Sequence, residues 1–151
     1  MTRPTGERSD RILRPQPDTV AAPRPTVLSQ HFWDGCAIGE LRFQRCTDCR
    51  RAAFDPVILC RHCGSGRVAW KVSAGSGIVY SHTIVHRPQT ADFVVPYAVA
   101  IVSVDEGFHM LTNIVGCAPE DVAIGMAVEV VFDRSPVRAA LPYFRPARGP
   151  G

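Results

Sequence analysis

The sequence predicts a mainly β protein in which a short N-terminal helix leads into a metal-binding ribbon and then into a small β-barrel. Two observations carry the prediction. Four cysteines fall as two CxxC pairs, Cys46/Cys49 and Cys60/Cys63, with ten residues between the pairs. From Gly75 onward, runs of eight to ten residues rich in Val, Ile, Tyr and Phe alternate with turns marked by Gly and Pro.

A CxxC turn brings two thiolates to one side of a tight loop. Two such turns joined by a hairpin can close a tetrahedral four-sulfur site with Zn–S distances of about 2.3 Å. Cys46, Cys49, Cys60 and Cys63 are therefore the candidate metal ligands, with one structural zinc ion as the favoured occupant. Iron, in a rubredoxin-like tetrathiolate, accepts the same ligand set. Two disulfides are the remaining alternative. They suit a secreted chain, whereas the amino terminus, MTRPTGERSDRILRPQPD, lacks the apolar core of a signal peptide. Reduced, metal-binding cysteines point to a cytoplasmic location. No run of about 18 apolar residues is present, so no membrane-spanning helix is expected.

In chain order, residues 1–25 hold five prolines and few large apolar groups. Too little surface can be buried there to offset the entropy of ordering, which predicts a flexible tail, either a plain extension or a docking arm. Residues 26–40 form a short helical segment. Ser29 is placed as N-cap, the helix runs through Phe32 and Trp33 towards Ile38, and Gly39 stops it. Phe32, Trp33 and Cys36 share a face, suited to packing on this domain or to plugging a partner. Residues 41–72 are the ribbon. Leu41 to Arg45 alternates as a strand into the first knuckle, Ala52 to Leu59 returns as a hairpin, and Val68 to Val72 is a further strand. Gly64 follows the second CxxC, where a knuckle needs a left-handed residue. The first knuckle has Arg50 at that position, a departure expected to loosen the turn.

Residues 73–145 are read as the barrel domain. Gly77 to His86, Pro96 to Val104, Phe108 to Val115 and Met126 to Asp133 are strands, with a hairpin turn at Asp105-Glu106-Gly107. Pro119 to Val122 is a short helical turn, with Pro and two acids where a helix start favours them. About five strands bent at glycines, with one helical turn before the last, match a Greek-key barrel of the OB type. By parity, Tyr80, His82, Ile84 and His86 share one face of their strand. Arg134 onward carries Leu141, Tyr143 and Phe144 in an extended segment able to fill a groove, and residues 146–151 are read as a disordered tail. On this division, loss of metal unfolds the ribbon and leaves the barrel largely intact.

The net charge of +3 divides unevenly: +2 in residues 1–30, +4 in residues 134–151 and −3 in the body from His31 to Asp133. Four thiolates on one Zn²⁺ make the body more acidic still. A nucleic-acid-binding domain concentrates Lys and Arg on its folded face. Single-stranded nucleic-acid binding, the alternative use of an OB barrel, is therefore disfavoured, although the ribbon is locally basic. Arg50, Arg51, Arg61 and Arg67 suit phosphates or an acidic partner surface, and equally suit ordinary solvation.

No catalytic residue is assigned. Cys36 and Cys117 are the thiols left over, on apolar elements where cysteines are usually buried and inert. Nothing in the sequence brings Cys117 to His82, His86 or His109. Four thiolates also leave zinc no open position for water, which makes the metal structural.

Several motifs occur together and in order: Phe32-Trp33, QRCxxC from Gln44, the CxxCG ending at Gly64, GxVYSxTxVHRP from Gly77 and PYAVAIVxxDEGxxxLTNIVG from Pro96. In these the chain resembles the zinc-ribbon plus OB-fold acyl-CoA-associated proteins, over about residues 28–145. The resemblance implies a rubredoxin-like zinc ribbon followed by an OB-fold barrel, with the same four cysteines as metal ligands. It implies a non-catalytic accessory subunit in a hetero-oligomer with a thiolase-superfamily enzyme: a thiolase, an acyltransferase or a steroid side-chain aldolase. There the barrel is expected to help hold or channel an acyl-CoA thioester. A free-standing CoA-thioester hydrolase or lyase is the enzymatic alternative. The resemblance carries over no CoA-contacting residue.

Overall fold

The computed structural model describes residues 11–149. The predicted helix forms as α1, Gln30–Ile38, and ends on Gly39 in the left-handed conformation at φ 86°. Its start differs in detail from the expected Ser29 cap. The Ser29 N–H donates to the Thr26 hydroxyl, and the Thr26 N–H donates to the Ser29 hydroxyl at 2.8 Å. The Ser29 hydroxyl is thus spent on the turn before the helix and caps no N–H within it. Phe32, Gly35 and Cys36 are buried, so α1 packs on its own domain.

The ribbon is a three-stranded antiparallel sheet of order β2-β1-β3, from β1, Arg42–Cys46, β2, Ala52–Ala53, and β3, Val68–Val72. β1 is the central strand, and Cys46 at its end opens the first knuckle directly. Ser73 to Gly75 then lead into the barrel, made of β4, Ser76–Val85, β5, Tyr97–Val104, β6, Phe108–Ile114, β7, Ala127–Asp133, and β8, Leu141–Pro146. The five strands close in the order β4-β5-β6-β8-β7, with β4 pairing back onto β7 at Ser76–Ile78. Between β6 and β7 lies the expected helical turn, a 3-10 turn at Pro119–Asp121. The fold is thus mainly β, a zinc-ribbon region followed by an OB-type barrel.

Strand alternation sets the barrel interior. Ala98, Ala100, Val102 and Val104 of β5 are buried at every second position, as are Phe108, Met110 and Ile114 of β6. At Gly77 the backbone of β5 comes so close that an added Cβ would lie 2.5 Å from the Ser103 carbonyl oxygen, so this position requires glycine.

Three sequence expectations are corrected. First, the strand ending at Asp133 is not the last of the barrel. The segment read as a groove filler is β8, whose residues 141–146 pair antiparallel with β7 and whose Phe144 meets Ile114 of β6. Two prolines disguise it, but in a strand at the closing seam they replace only part of the ladder. β8 includes Pro146, and the Ala147 N–H still donates to the Ala127 carbonyl, so order continues past the expected start of the tail. Second, residues 11–25 are not a free tail. Leu13 is buried and exchanges backbone hydrogen bonds with the Cys117 carbonyl and the Gly116 N–H, both at 2.9 Å. Gln16 places its side-chain amide on Val94, donating to the carbonyl at 3.0 Å and accepting from the N–H at 2.9 Å. The segment has few apolar side chains, and these long-range polar anchors hold it in their place. Residues 1–10, also read as tail, and residues 150–151 lie outside the described residues. Third, a bulge between Val79 and Ser81 breaks the parity of β4. Tyr80 occupies it and is exposed, while His82 and Ile84 oppose the buried Ala100 and Ala98.

One hydrophobic core spans helix, ribbon and barrel: Phe32 and Cys36, Leu41 and Phe43, and the interior residues of the barrel. A chain of aromatic rings crosses it. Phe43 and Phe54 flank Phe108 at centroid distances of 5.1 and 5.5 Å, and Phe32 meets Phe54 edge-on at 5.4 Å. This shared core couples the parts that the sequence separates at residues 72 and 73. Phe108→Ala should therefore cost about 3–5 kcal/mol and shift the melting of ribbon and barrel together, followed by near-ultraviolet circular dichroism and by thiol exposure. Two separate transitions in the parent protein would show that the parts do not share stability.

Candidate metal centre and ribbon–barrel groove

The knuckles position the four thiols. In the first, the Arg50 N–H donates to the Cys46 carbonyl, and in the second the Gly64 N–H donates to the Cys60 carbonyl at 2.8 Å. Both turns demand a left-handed residue, met by Gly64 at φ 74° and by Arg50 at φ 66°. Arg50 thus adopts the knuckle conformation despite its Cβ, at a cost of about 1–2 kcal/mol. The Arg45 guanidinium supports it, donating to the Arg50 carbonyl at 2.7 Å and to the Glu106 carbonyl of the β5–β6 turn at 2.9 Å. A second tie joins the knuckles across the site: Asp48 accepts from the Ser65 hydroxyl and pairs with the Arg67 guanidinium.

The sulfur atoms of Cys46, Cys49, Cys60 and Cys63 all lie within 4.8 Å of one another, with Cys46–Cys63 and Cys49–Cys60 separations of 3.6 Å. A regular tetrahedron with metal–sulfur bonds of about 2.3 Å has edges of about 3.8 Å, so the residues present fit a four-coordinate metal. All six cysteines are free thiols here, which does not match the disulfide alternative. The local electrostatics favour thiolate at two positions. The N–H groups of Cys49 and Asp48 lower Cys46, and those of His62 and Cys63 bring Cys60 down to about 6. At Cys63 the Ser65 N–H acts in the same direction, but burial and the three neighbouring thiols push the group up to about 12. Four sulfurs this close stay ionised together only with a cation among them.

Beside the site, a groove of about 330 Å³ runs between ribbon and barrel. Phe54, Val57 and Phe108 line it, with Arg51, Arg61 and His62 among its polar residues. Of the four arginines singled out from sequence, Arg67 is engaged with Asp48 and Arg61 faces Asp55 at 3.8 Å. Arg51 donates to His62 Nδ1 at 2.9 Å, and among the described residues neither it nor Arg50 makes an ion pair.

The leftover thiols are not brought to a base. Cys36 is fully buried and its thiol is pushed up to about 12 by that burial. Cys117 is raised by burial and by Asp121, and among the described residues neither thiol hydrogen-bonds a histidine. His82 is half-buried with an unpartnered Nδ1, and His109 lies against Tyr80 at 4.7 Å. Sequence reasoning missed Arg138, whose side chain is 4% exposed and paired with Asp18 and Asp133. A lone arginine in a proline-rich segment gave no signal of burial.

A four-thiol ribbon joined to a closed five-stranded barrel defines a class of small two-part proteins. Family models match the chain as "ChsH2, rubredoxin-like zinc ribbon domain" over residues 33–69 and "ChsH2, C-terminal OB-fold domain" over residues 70–133. The chain belongs to this ChsH2/DUF35 family. It is similar to the "probable enoyl-CoA hydratase alpha subunit" of Thermomonospora curvata, at 38% identity over 83% of this chain and 40% of that protein. It is also similar to the "3-oxo-4,17-pregnadiene-20-carboxyl-CoA hydratase alpha subunit" of Mycobacterium tuberculosis, at 33% identity over 86% of this chain and 42% of that one. The chain thus spans well under half the length of these two relatives. A "DUF35 domain-containing scaffold protein" of Methanocaldococcus jannaschii is 37% identical over 66% of this chain and 69% of its own. Among solved structures, a chain of the "Ltp2-ChsH2(DUF35) aldolase" superposes with a TM-score of 0.75 at 35% identity, covering 82% of this chain and 98% of that one. The first three of these relatives are named as subunits or a scaffold, consistent with an accessory role. Among the described residues no helix is long and apolar enough to cross a membrane.

Arg50→Gly should relieve the left-handed strain and stabilise the ribbon by about 1 kcal/mol, read as a higher denaturant midpoint at unchanged metal content. Cys49→Ala should abolish stoichiometric metal binding, measured by elemental analysis. Because structural zinc contributes on the order of 10–16 kcal/mol in finger peptides and the core is shared, the loss should also lower the melting temperature of the barrel.

Proposed function

We propose that the protein is a non-catalytic accessory subunit that docks a thiolase-superfamily enzyme, whether thiolase, acyltransferase or steroid side-chain aldolase, and helps hold or channel its acyl-CoA substrate. The similarity to nearly the whole ChsH2(DUF35) chain of an aldolase carries this reading. The buried state of Cys36 and Cys117 supports the non-catalytic part. Two of the similar proteins are hydratase subunits named for CoA thioesters, which supports the ligand class.

Zinc is the proposed metal, held by Cys46, Cys49, Cys60 and Cys63. Bound there it would supply rigidity and no reactive position, because the chain fills all four sites with sulfur. The chain's own contribution is geometric. The ribbon holds Arg51 and His62 at the groove, where cationic and donor groups suit the phosphates of CoA. Phe54, Val57 and Phe108 offer an apolar surface beside them, as a ligand with both polar and apolar parts requires. A metal-binding set of four thiols supports a site of action in the cytoplasm, which belongs to the same proposal.

Affinity purification from the native host tests the role. A co-purifying thiolase-like chain, and no turnover of a CoA thioester by the purified protein alone, are the expected results. Nucleic acid in the eluate with no enzyme partner would sink the proposal, and turnover by the isolated chain would move the protein to the enzymatic class.

A further inference from the structure

Residues 14–25 form a strap that is fixed at its two ends and latched only by polar contacts between them. At one end Leu13 is buried and exchanges backbone hydrogen bonds with Gly116 and Cys117, beyond the end of β6. At the other, the reciprocal bonds of Thr26 and Ser29 form the turn before α1. Between these ends Gln16 alone is buried. Its side-chain amide holds Val94, and the Thr19 hydroxyl donates to the Asp92 carbonyl at 3.3 Å. Asp18 accepts from Arg138 Nε at 2.7 Å and from the Ser135 hydroxyl at 2.8 Å. The strap therefore clasps two barrel connections, 86–96 between β4 and β5 and 134–140 between β7 and β8. Among the described residues, the 86–96 connection hydrogen-bonds to no segment other than the strap.

The clasp lies across one side of a second cavity, of about 370 Å³. Gln16, Pro17 and Val20 of the strap stand on its wall, with Phe93 from one connection and Arg138 from the other. Thr112 of β6, itself buried, lines the same space.

The ion cluster is built so that Asp18 can leave it. The Arg138 side chain is 4% exposed and pairs with both Asp18 and Asp133. Losing the only partner of a buried charge is costly, but here Asp133 stays behind on Nη2 and keeps the guanidinium matched. The departing Asp18 side chain is already 45% exposed, so it returns to water from a pair of the weak, surface kind. Closure also leaves Arg138 Nη1 buried with no partner among the described residues, a cost that entry of water would relieve. Against these modest gains stands the entropy of holding an exposed strap in one place. Such a balance puts the strap among the parts of a fold that open locally, well before the core.

We propose that residues 14–25 are a flap that swings between Leu13 and the Thr26–Ser29 turn while the barrel stays folded, and that the Asp18–Arg138 contact is the latch controlling access to the cavity beneath it. The proposal concerns the chain by itself and does not depend on the accessory role.

Amide hydrogen exchange of the full, metal-loaded chain, followed by NMR, tests the latch. In Asp18→Ala the Gln16 and Val94 amides should exchange about 10-fold faster, the factor carried by one hydrogen bond to a charged group at the low end of its usual strength. The Leu13, Gly116 and Val79 amides, which mark the hinge and the barrel, should not change. Access to the cavity is read separately by placing a near-isosteric thiol on its wall. Alkylation of Thr112→Cys by iodoacetamide, located by peptide mass spectrometry, should accelerate by the same factor when Asp18→Ala is added. Unchanged exchange at Val94 would overturn the latch, and an equal rise at Val79 would show general loosening in place of a flap. Faster exchange at Val94 with no faster alkylation would show that the strap does not guard the cavity, and would overturn the proposal too.

Discussion

Phe108 sits between Phe43 and Phe54, and this stack of rings is the contact on which the rest of the molecule depends. Phe108 begins β6 of the barrel, Phe43 lies in the central ribbon strand, and Phe54 follows the short strand β2. Phe32 of α1 then abuts Phe54. Aromatic pairs at these distances add about 0.5–1.5 kcal/mol each beyond their buried area. Their larger effect is geometric, because helix, ribbon and barrel cannot move apart without opening one common core. A ribbon of this size has too few apolar residues to fold on its own surface, so it borrows the end of the barrel.

Polar contacts fix the register of that packing. Glu106, at the β5–β6 turn, accepts from the Ser73 hydroxyl and the Ala74 N–H at 2.7 Å each, while its carbonyl accepts from Arg45. The same arginine reaches the carbonyl of the strained Arg50. One hairpin turn of the barrel is thereby tied to the linker and, through Arg45, to the first metal knuckle. The four-cysteine site and the barrel thus share a mechanical connection as well as a core.

The two cavities flank this junction and differ in character. The ribbon–barrel groove is bordered by the exposed cationic side chains of Arg51 and Arg61. The other, of about 370 Å³, is lined by Phe32 and Trp33 of α1 with Phe54, Phe93, Met110 and Leu141 and is largely aromatic. Charge and apolar surface are thus separated onto two sides of one aromatic partition.

The sequence alone picked out the four cysteines that the fold brings together, the helix at Gln30–Ile38 and four of the five barrel strands. Each of these is a local signal: a spacing, a period or a turn residue that one stretch of chain carries by itself. Arg50, expected from the sequence to loosen the first knuckle, instead adopts the left-handed conformation at φ 66°, because the knuckle demands it whatever residue stands there. Only the tertiary structure decided the rest. β8 is a strand because β7 and β6 supply its hydrogen-bond partners, against its own prolines. Residues 11–25 are ordered because Gly116, Cys117 and Val94 lie where their backbone groups can pair. The Tyr80 bulge reversed a parity that the sequence shows as regular, and Arg138 became a buried ion-pair centre through Asp18, 120 residues away. In each case the deciding energy comes from a partner distant in sequence, and no local pattern encodes it.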